Sequence, residues 1–127
     1  MDNKGRVLVV DDEADVRKSL RLILTKAGYD VDEAEHPEAG VSLVKSGANK
    51  APLSAIVTDL NMPTVNEIIV IPYLHSQFPS CPIVVLSGSK MLDRSAKLFK
   101  AAGVEFLSKP INQEQLLGAV NKAASKG

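Results

Sequence analysis

Four short apolar runs in this 127-residue chain each end in groups able to do chemistry. Val7-Leu8-Val9-Val10 leads into Asp11-Asp12, and Ala55-Ile56-Val57 into Thr58-Asp59. Ile83-Val84-Val85-Leu86 leads into Ser87-Gly88-Ser89, and Val104-Glu105-Phe106-Leu107 into Ser108-Lys109. Several carboxylates brought together repel one another, and oxygen donors without His or Cys suit a hard cation such as Mg²⁺. A cation flanked by a lysine, a hydroxyl and glycine-permitted backbone N–H groups is a place for a phosphoryl oxyanion. The chain has neither a Walker-type Gly-rich loop nor a GxGxxG, so nucleotide binding lacks its usual signal. A carboxylate such as Asp59 can instead accept the phosphoryl group directly, as an aspartyl phosphate.

For these groups to meet, the apolar runs must be strands of one sheet. Runs of Val and Ile without polar alternation indicate strands covered on both faces, hence a parallel sheet. Tyr29-Asp30-Val31-Asp32 alternates instead, as an edge strand does. Between the runs, Val16, Leu20, Ile23 and Ala27 fall on one helix face, with Arg17, Lys18 and Arg21 on the other. Gly28 ends that helix as a left-handed cap. A second helix is predicted from Pro37 to Ser46, with Gly47 after it, and another from about Lys90 to Ala102, stopped by Gly103. Asn112 caps a last helix, with Gln115 in the capping-box position. The alternation βαβαβαβαβα predicts a doubly wound α/β fold, a flavodoxin-like five-stranded parallel sheet of order 2-1-3-4-5. Ligands of such sheets bind beyond the carboxyl ends of the strands, where the strand order reverses. That crevice lies between the first and third strands and holds Asp11, Asp12 and Asp59. With neighbouring strands ~4.8 Å apart, the four polar ends fall within about 15 Å.

The length fits one domain spanning residues 1–127. Fifteen Lys and Arg balance fifteen Asp and Glu, which excludes a polycation that clamps nucleic acid by charge. The balance is uneven along the chain. Residues 1–67 hold twelve acidic and eight basic groups, residues 68–127 three and seven. Cys81 is the one cysteine, so an intrachain disulfide and a Cys-based zinc site are excluded, and a reducing cytosol suits it. The apolar run at residues 7–10 is too short for a signal peptide, and no later run approaches membrane-spanning length. The expectation is a cytoplasmic domain that touches neither membrane nor, directly, nucleic acid.

Taken together, Val-Leu-Val-Val-Asp11-Asp12-Glu13, Thr58-Asp59-Leu60-Asn61-Met62-Pro63, Val85-Leu86-Ser87-Gly88 and Phe106-Leu107-Ser108-Lys109-Pro110 are specific in their order and spacing. The chain resembles, over nearly its whole length, the (CheY-like) receiver domain of two-component response regulators. The resemblance implies that Asp59 is the phosphoacceptor, that Asp12 ligates Mg²⁺ directly and Asp11 through water, and that Asn61 lends its backbone carbonyl. It implies that Ser87 bonds a phosphoryl oxygen, that Lys109 pairs with another, and that the Lys109-Pro110 peptide is cis. It further implies a switch in which Ser87 moves toward the new oxyanion and the ring of Phe106 fills the vacated space. That would remodel the face made by the helix over 90–102, the fifth strand and the last helix. The implied partners are a histidine kinase or phosphotransfer protein and an output domain or effector that the sequence does not name.

Each residue has a plainer explanation when taken singly. Asp11 and Asp12 could cap the first helix, Asp59 could serve a turn, Ser87 could bond backbone, and Lys109 could be a solvated lysine. Only the joint pattern favours the site. Lys90, Arg94 and Lys97 form a basic stripe that reads as a solvated face or, more sharply, as a surface for an acidic partner. The segment after Asp59 departs from the family pattern. Glu67 stands where receivers carry glycine, and Pro72 falls inside the third helix, which should therefore be shortened, starting near Pro72, or kinked there. Ile68-Ile69-Val70-Ile71 should leave at least one apolar side chain exposed, a surface for a partner or for self-association. The alternative function is a receiver-like interaction module that works without phosphorylation. An aspartyl-phosphate hydrolase of the haloacid-dehalogenase type would want an acid at Asn61 and room for a cap.

Overall fold

Val7, Leu8, Val9 and Val10 are wholly buried, as are Ala55, Ile56 and Val57, and Val84, Val85 and Leu86. Covered on both faces, such residues can only be inner strands. The computed structural model describes residues 5–46, 53–59, 67–87, 104–108 and 112–126. Its elements are β1 (Gly5–Val10), α1 (Ala14–Lys26), β2 (Tyr29–Ala34), α2 (Pro37–Ser46), β3 (Leu53–Asp59), α3 (Glu67–Gln77), β4 (Ile83–Ser87), β5 (Val104–Ser108) and α4 (Gln113–Lys126). The five strands pair in parallel in the order β2-β1-β3-β4-β5, as the sequence predicts. β2, the alternating strand, lies at an edge. The helix predicted over 90–102 lies outside the described residues.

Alternate residues of the strands feed two cores. Leu8, Val10, Ile56 and Val85 pack with Val41 and Val44 of α2 and with Ile71 and Leu74 of α3. Val7, Val9, Val57 and Leu86 pack with Leu20 and Leu24 of α1 and with Leu116 and Val120 of α4. Each such side chain contributes roughly 1.5–3 kcal/mol on burial, which fixes both the helix positions and the register of the strands. The close seat of α2 on β1 depends on Gly40, where an added Cβ would come within 3.0 Å of a Leu8 methyl.

The helix ends follow local chemistry. Gly28, at φ +104°, turns the chain after α1 and donates its N–H to the Thr25 carbonyl at 3.0 Å. Asn112 accepts from the N–H groups of Glu114 and Gln115 at 2.8 and 3.2 Å, the N-cap expected for α4. α3 differs from one of the two outcomes foreseen for it. The helix runs through Pro72 rather than starting near it, beginning at Glu67. Pro72 is exposed in the second turn, so the ring faces water and the loss is confined to the bond that residue 72 would have donated to residue 68. Of the apolar quartet before it, Ile71 is buried in the core; the side chains of residues 68–70 lie outside the description.

Candidate functional site

The β1–β2 ladder continues one step past the end of β1, where the Asp11 N–H donates to the Ala34 carbonyl at 3.1 Å. Asp11 is fully buried, and its Oδ1 accepts from the Glu13 N–H at 2.9 Å. This Asx turn bends the chain from strand into helix. The N-cap of α1 is Glu13, with no side-chain cap bond, so Asp11 and Asp12 do not serve as the helix cap that was the plainer explanation for them. One carboxylate oxygen from each of Asp11, Asp12 and Glu13 lies within 4.8 Å of the other two, with Asp12 and Glu13 exposed. Three hard anionic donors around a single point, without nitrogen or sulfur, fit Mg²⁺. Glu13 joins a group in which the sequence assigned roles to only two acids.

The loop is held from outside as well. Arg17 Nη1 donates to the Asp11 carbonyl at 2.6 Å. Its Nε lies 4.0 Å from Glu33 Oε1, and Arg21 Nε lies 3.0 Å from Glu33 Oε2. Helical periodicity placed Arg17 on the solvent side of α1; the structure corrects this, since its side chain is only 14% exposed. The physical reason is that β2 is an edge strand. α1 therefore presents a flank, as well as a core face, to the protein, and Arg17 and Arg21, four residues apart, both lie on it.

The other predicted residues are placed by their backbone. Val10 is opposite Thr58, and Asp59, the last residue of β3, is opposite Leu86. One step beyond Val10, Asp11 is therefore level with Asp59 on the adjacent strand, ~4.8 Å away across the ladder. Ser87 ends β4 opposite Ser108, and Phe106 lies inside β5 opposite Val85. Strand order reverses between β1 and β3, the place where open α/β sheets bind ligands. Asn61 and Lys109 lie outside the described residues, as do Gly88 and the Lys109-Pro110 peptide. Thr58, which the sequence treated only as the end of a run, is fully buried, and its hydroxyl has no hydrogen-bond partner among the described residues.

At the amino-terminal ends of β4 and β5 is a cavity of about 260 Å³, lined by Cys81, Ile83, Val84, Glu105 and Lys122 among others. Burial pushes the Cys81 thiol up to about 12, so it is inert at neutral pH. Among the described residues, no helix is long and apolar enough to cross a membrane.

A family model for the response regulator receiver domain matches residues 7–121. The cell cycle transcriptional regulator CtrA of Caulobacter vibrioides is 28% identical over 124 residues, covering 96% of this chain and 52% of that protein. The transcriptional regulatory protein FixJ of Rhizobium meliloti is 30% identical over 118 residues, covering 93% of this chain and 56% of its own length. The chain thus spans about half the length of the curated relatives it matches. Among solved structures, the chemotaxis protein CheY4 of Vibrio cholerae superposes with a TM-score of 0.77 at 27% identity, covering 94% of this chain and 98% of that one. A receiver domain protein from Clostridium thermocellum superposes at 0.82 with 24% identity, covering 96% and 95%, a likeness of fold.

Proposed function

This chain belongs to the response regulator receiver domain family of two-component systems, and on that premise we propose that Asp59 accepts a phosphoryl group from a histidine kinase, a phosphotransfer protein or a small acyl phosphate. The observation that carries the proposal is the mutual placement of Asp11, Asp12 and Glu13, with oxygens within 4.8 Å, and Asp59, one ladder step away where the strand order reverses. Acids gathered there act against the fold's own stability, and a bound cation offsets that.

An oxygen of the Asp59 carboxylate attacks the phosphorus while the bond to the donor breaks, and the donor leaves with its electron pair. Asp12 would hold Mg²⁺ directly and Asp11 through water, with Asp59 itself and the Asn61 carbonyl completing the set. When bound, Mg²⁺ offsets the repulsion between anionic nucleophile and anionic phosphoryl group and takes up charge on the equatorial oxygens. Lys109 pairs with one phosphoryl oxygen, and the Ser87 hydroxyl donates to another. Water attack on the aspartyl phosphate resets the domain. Movement of Ser87 toward the new oxyanion, followed by Phe106, carries the change to the face that includes β5 and α4. The family is a signalling domain rather than a classical enzyme; the kinase, the output domain or effector, and the cytoplasmic setting belong to the proposal. So does self-association, through the α3 region or through the face of segment 90–102, β5 and α4.

Incubation with Mg²⁺ and a small acyl phosphate, followed by intact-mass analysis, tests it. A phosphate adduct on the wild type, absent from Asp59→Asn, is the expected result. No adduct on a folded wild type would favour the phosphorylation-independent module, and an adduct that survives Asp59→Asn would overturn Asp59 as acceptor.

A further inference from the structure

Among the described residues, four hydrogen bonds tie down the loop that carries the acids. The Asp11 N–H bonds the Ala34 carbonyl at 3.1 Å, and the Asp11 carboxylate bonds the Glu13 N–H at 2.9 Å. The Arg17 N–H donates to the Glu13 carbonyl at 3.0 Å, and the Arg17 guanidinium donates to the Asp11 carbonyl at 2.6 Å. Only the last of these uses a side chain from outside the loop. The same guanidinium lies 4.0 Å from Glu33, whose other oxygen is held by Arg21 at 3.0 Å. Glu33 sits on β2, so Arg17 bridges the acid loop to the edge strand.

On the phosphoacceptor reading just given, we infer that Arg17 is a positioning residue for the cation site and that Glu33 orients it. The physical need is clear. Asp11, Asp12 and Glu13 repel one another, and a loop free to relax would splay them apart. Held by its carbonyl, Asp11 keeps its backbone level with Asp59, and the carboxylates stay grouped for a cation that tolerates little distortion of its octahedron. Arg17 touches neither the cation nor the phosphoryl group; it acts through the peptide of Asp11. The planar guanidinium can bond that carbonyl with one N–H and face Glu33 with another, a two-way grip that an ammonium group holds less rigidly.

Charge and position make opposite predictions, which lets the idea be tested. Removing a positive charge beside a cation site should, by electrostatics alone, tighten Mg²⁺ binding. Removing a positioning residue should weaken it, by about tenfold for groups that orient ligands from behind. Mg²⁺ titration by calorimetry on Arg17→Met, Arg17→Lys, Glu33→Gln and Lys18→Met separates the two. Lys18 is exposed on α1 and carries the same charge, so Lys18→Met controls for net charge.

The expected order is about tenfold weaker binding for Arg17→Met, a smaller loss for Arg17→Lys and for Glu33→Gln, and wild-type or slightly tighter binding for Lys18→Met. Wild-type affinity in a folded Arg17→Met, or an equal loss in Lys18→Met, would overturn the inference. Should Arg17→Met fail to fold, Glu33→Gln decides, since wild-type affinity there removes the bridge. Failure of the phosphoacceptor reading looks different: the wild type itself would bind no Mg²⁺ and form no adduct.

Discussion

Both ends of the sheet carry charged side chains, but among the described residues they are buried and paired at one end and grouped by like sign, largely exposed, at the other. Nearer the amino-terminal ends of the strands, Arg6 Nε and Nη2 reach Asp32 Oδ2 at 2.6 and 2.5 Å, with the side chains 4% and 11% exposed. The Tyr29 hydroxyl donates to Asn121 Oδ1 and ties β2 to α4. Opposite charges and complementary donors are what a fold needs when polar groups leave water. At the carboxyl end, acid stands beside acid: Asp11, Asp12 and Glu13 crowd one corner, with the Asp59 backbone level with Asp11 on the next strand. Asp11 serves the Asx turn, but grouping further acids beside it costs the fold electrostatic energy. What separates structure from function in this domain is the sign of a charged group's neighbours.

The matched end should be the more sensitive to loss of a partner. Arg6→Met keeps the apolar stem and leaves the Asp32 carboxylate without its guanidinium. The expected loss is about 3 kcal/mol in urea denaturation, because a buried charge that loses its counter-charge retains its full desolvation cost. Adding Asp32→Leu to Arg6→Met should recover most of it, since a packed apolar pair replaces the ions. Mg²⁺ affinity should not change in either variant below its melting temperature. A loss under about 1 kcal/mol for Arg6→Met would mean that the pair is no better than a surface bridge and would weaken the contrast.

A smaller effect at the same end comes from Cys81, whose thiol burial pushes up from 9.0 to about 12. A raised acid holds its proton better when folded, so its share of the stability is complete below the unfolded value and is lost as pH climbs toward the folded one. Between pH 9 and 10 the thiol should contribute a decline of about 1 kcal/mol. Urea midpoints at pH 8, 9 and 10 should show a steeper fall for the wild type than for Cys81→Ala. Parallel slopes would place the thiol in water.

The strands and helix ends were the more legible from sequence, for a physical reason, whereas the pairing of Arg6 with Asp32 and of Tyr29 with Asn121 was not read at all. Apolar runs such as Val7–Val10 and Ile83–Leu86 read directly as inner strands because burial on both faces leaves no polar alternation, and strand order then follows from few allowed crossovers. Gly28 and Asn112 announced helix ends because their chemistry is local. Arg17 did not. Its role depends on a carbonyl in the preceding loop and on Glu33 across the edge strand, and helical periodicity sees neither. Pro72 misled in part for the same reason: the rule counts a lost bond and a clash, whereas an exposed ring in the second turn leaves the helix able to continue. The acids of the rim were legible as residue types and as ends of runs. That Glu13 groups with Asp11 and Asp12 depends on the Asx turn, which no spacing rule supplies.

The last test reverses the usual direction of a mutation. Asp12→Asn removes one of three crowded carboxylates at an exposed position, so in Mg²⁺-free, low-salt buffer it should stabilise the fold by a few tenths of a kcal/mol. The gain should shrink modestly at ~0.1 M salt and strongly near ~1 M, where a Debye length of ~3 Å is shorter than the spacing of the acids. Excess Mg²⁺ should invert the ranking, because a ligand that binds only the folded state stabilises it by an amount that grows with the logarithm of its affinity, and the variant binds it less well. Thermal melts of the two proteins, with and without Mg²⁺ and at two salt concentrations, give the four comparisons required. A variant less stable than wild type in the absence of Mg²⁺ would show that Asp12 holds the fold together as Arg6 and Asp32 do, and the two ends of the sheet would then differ only in composition.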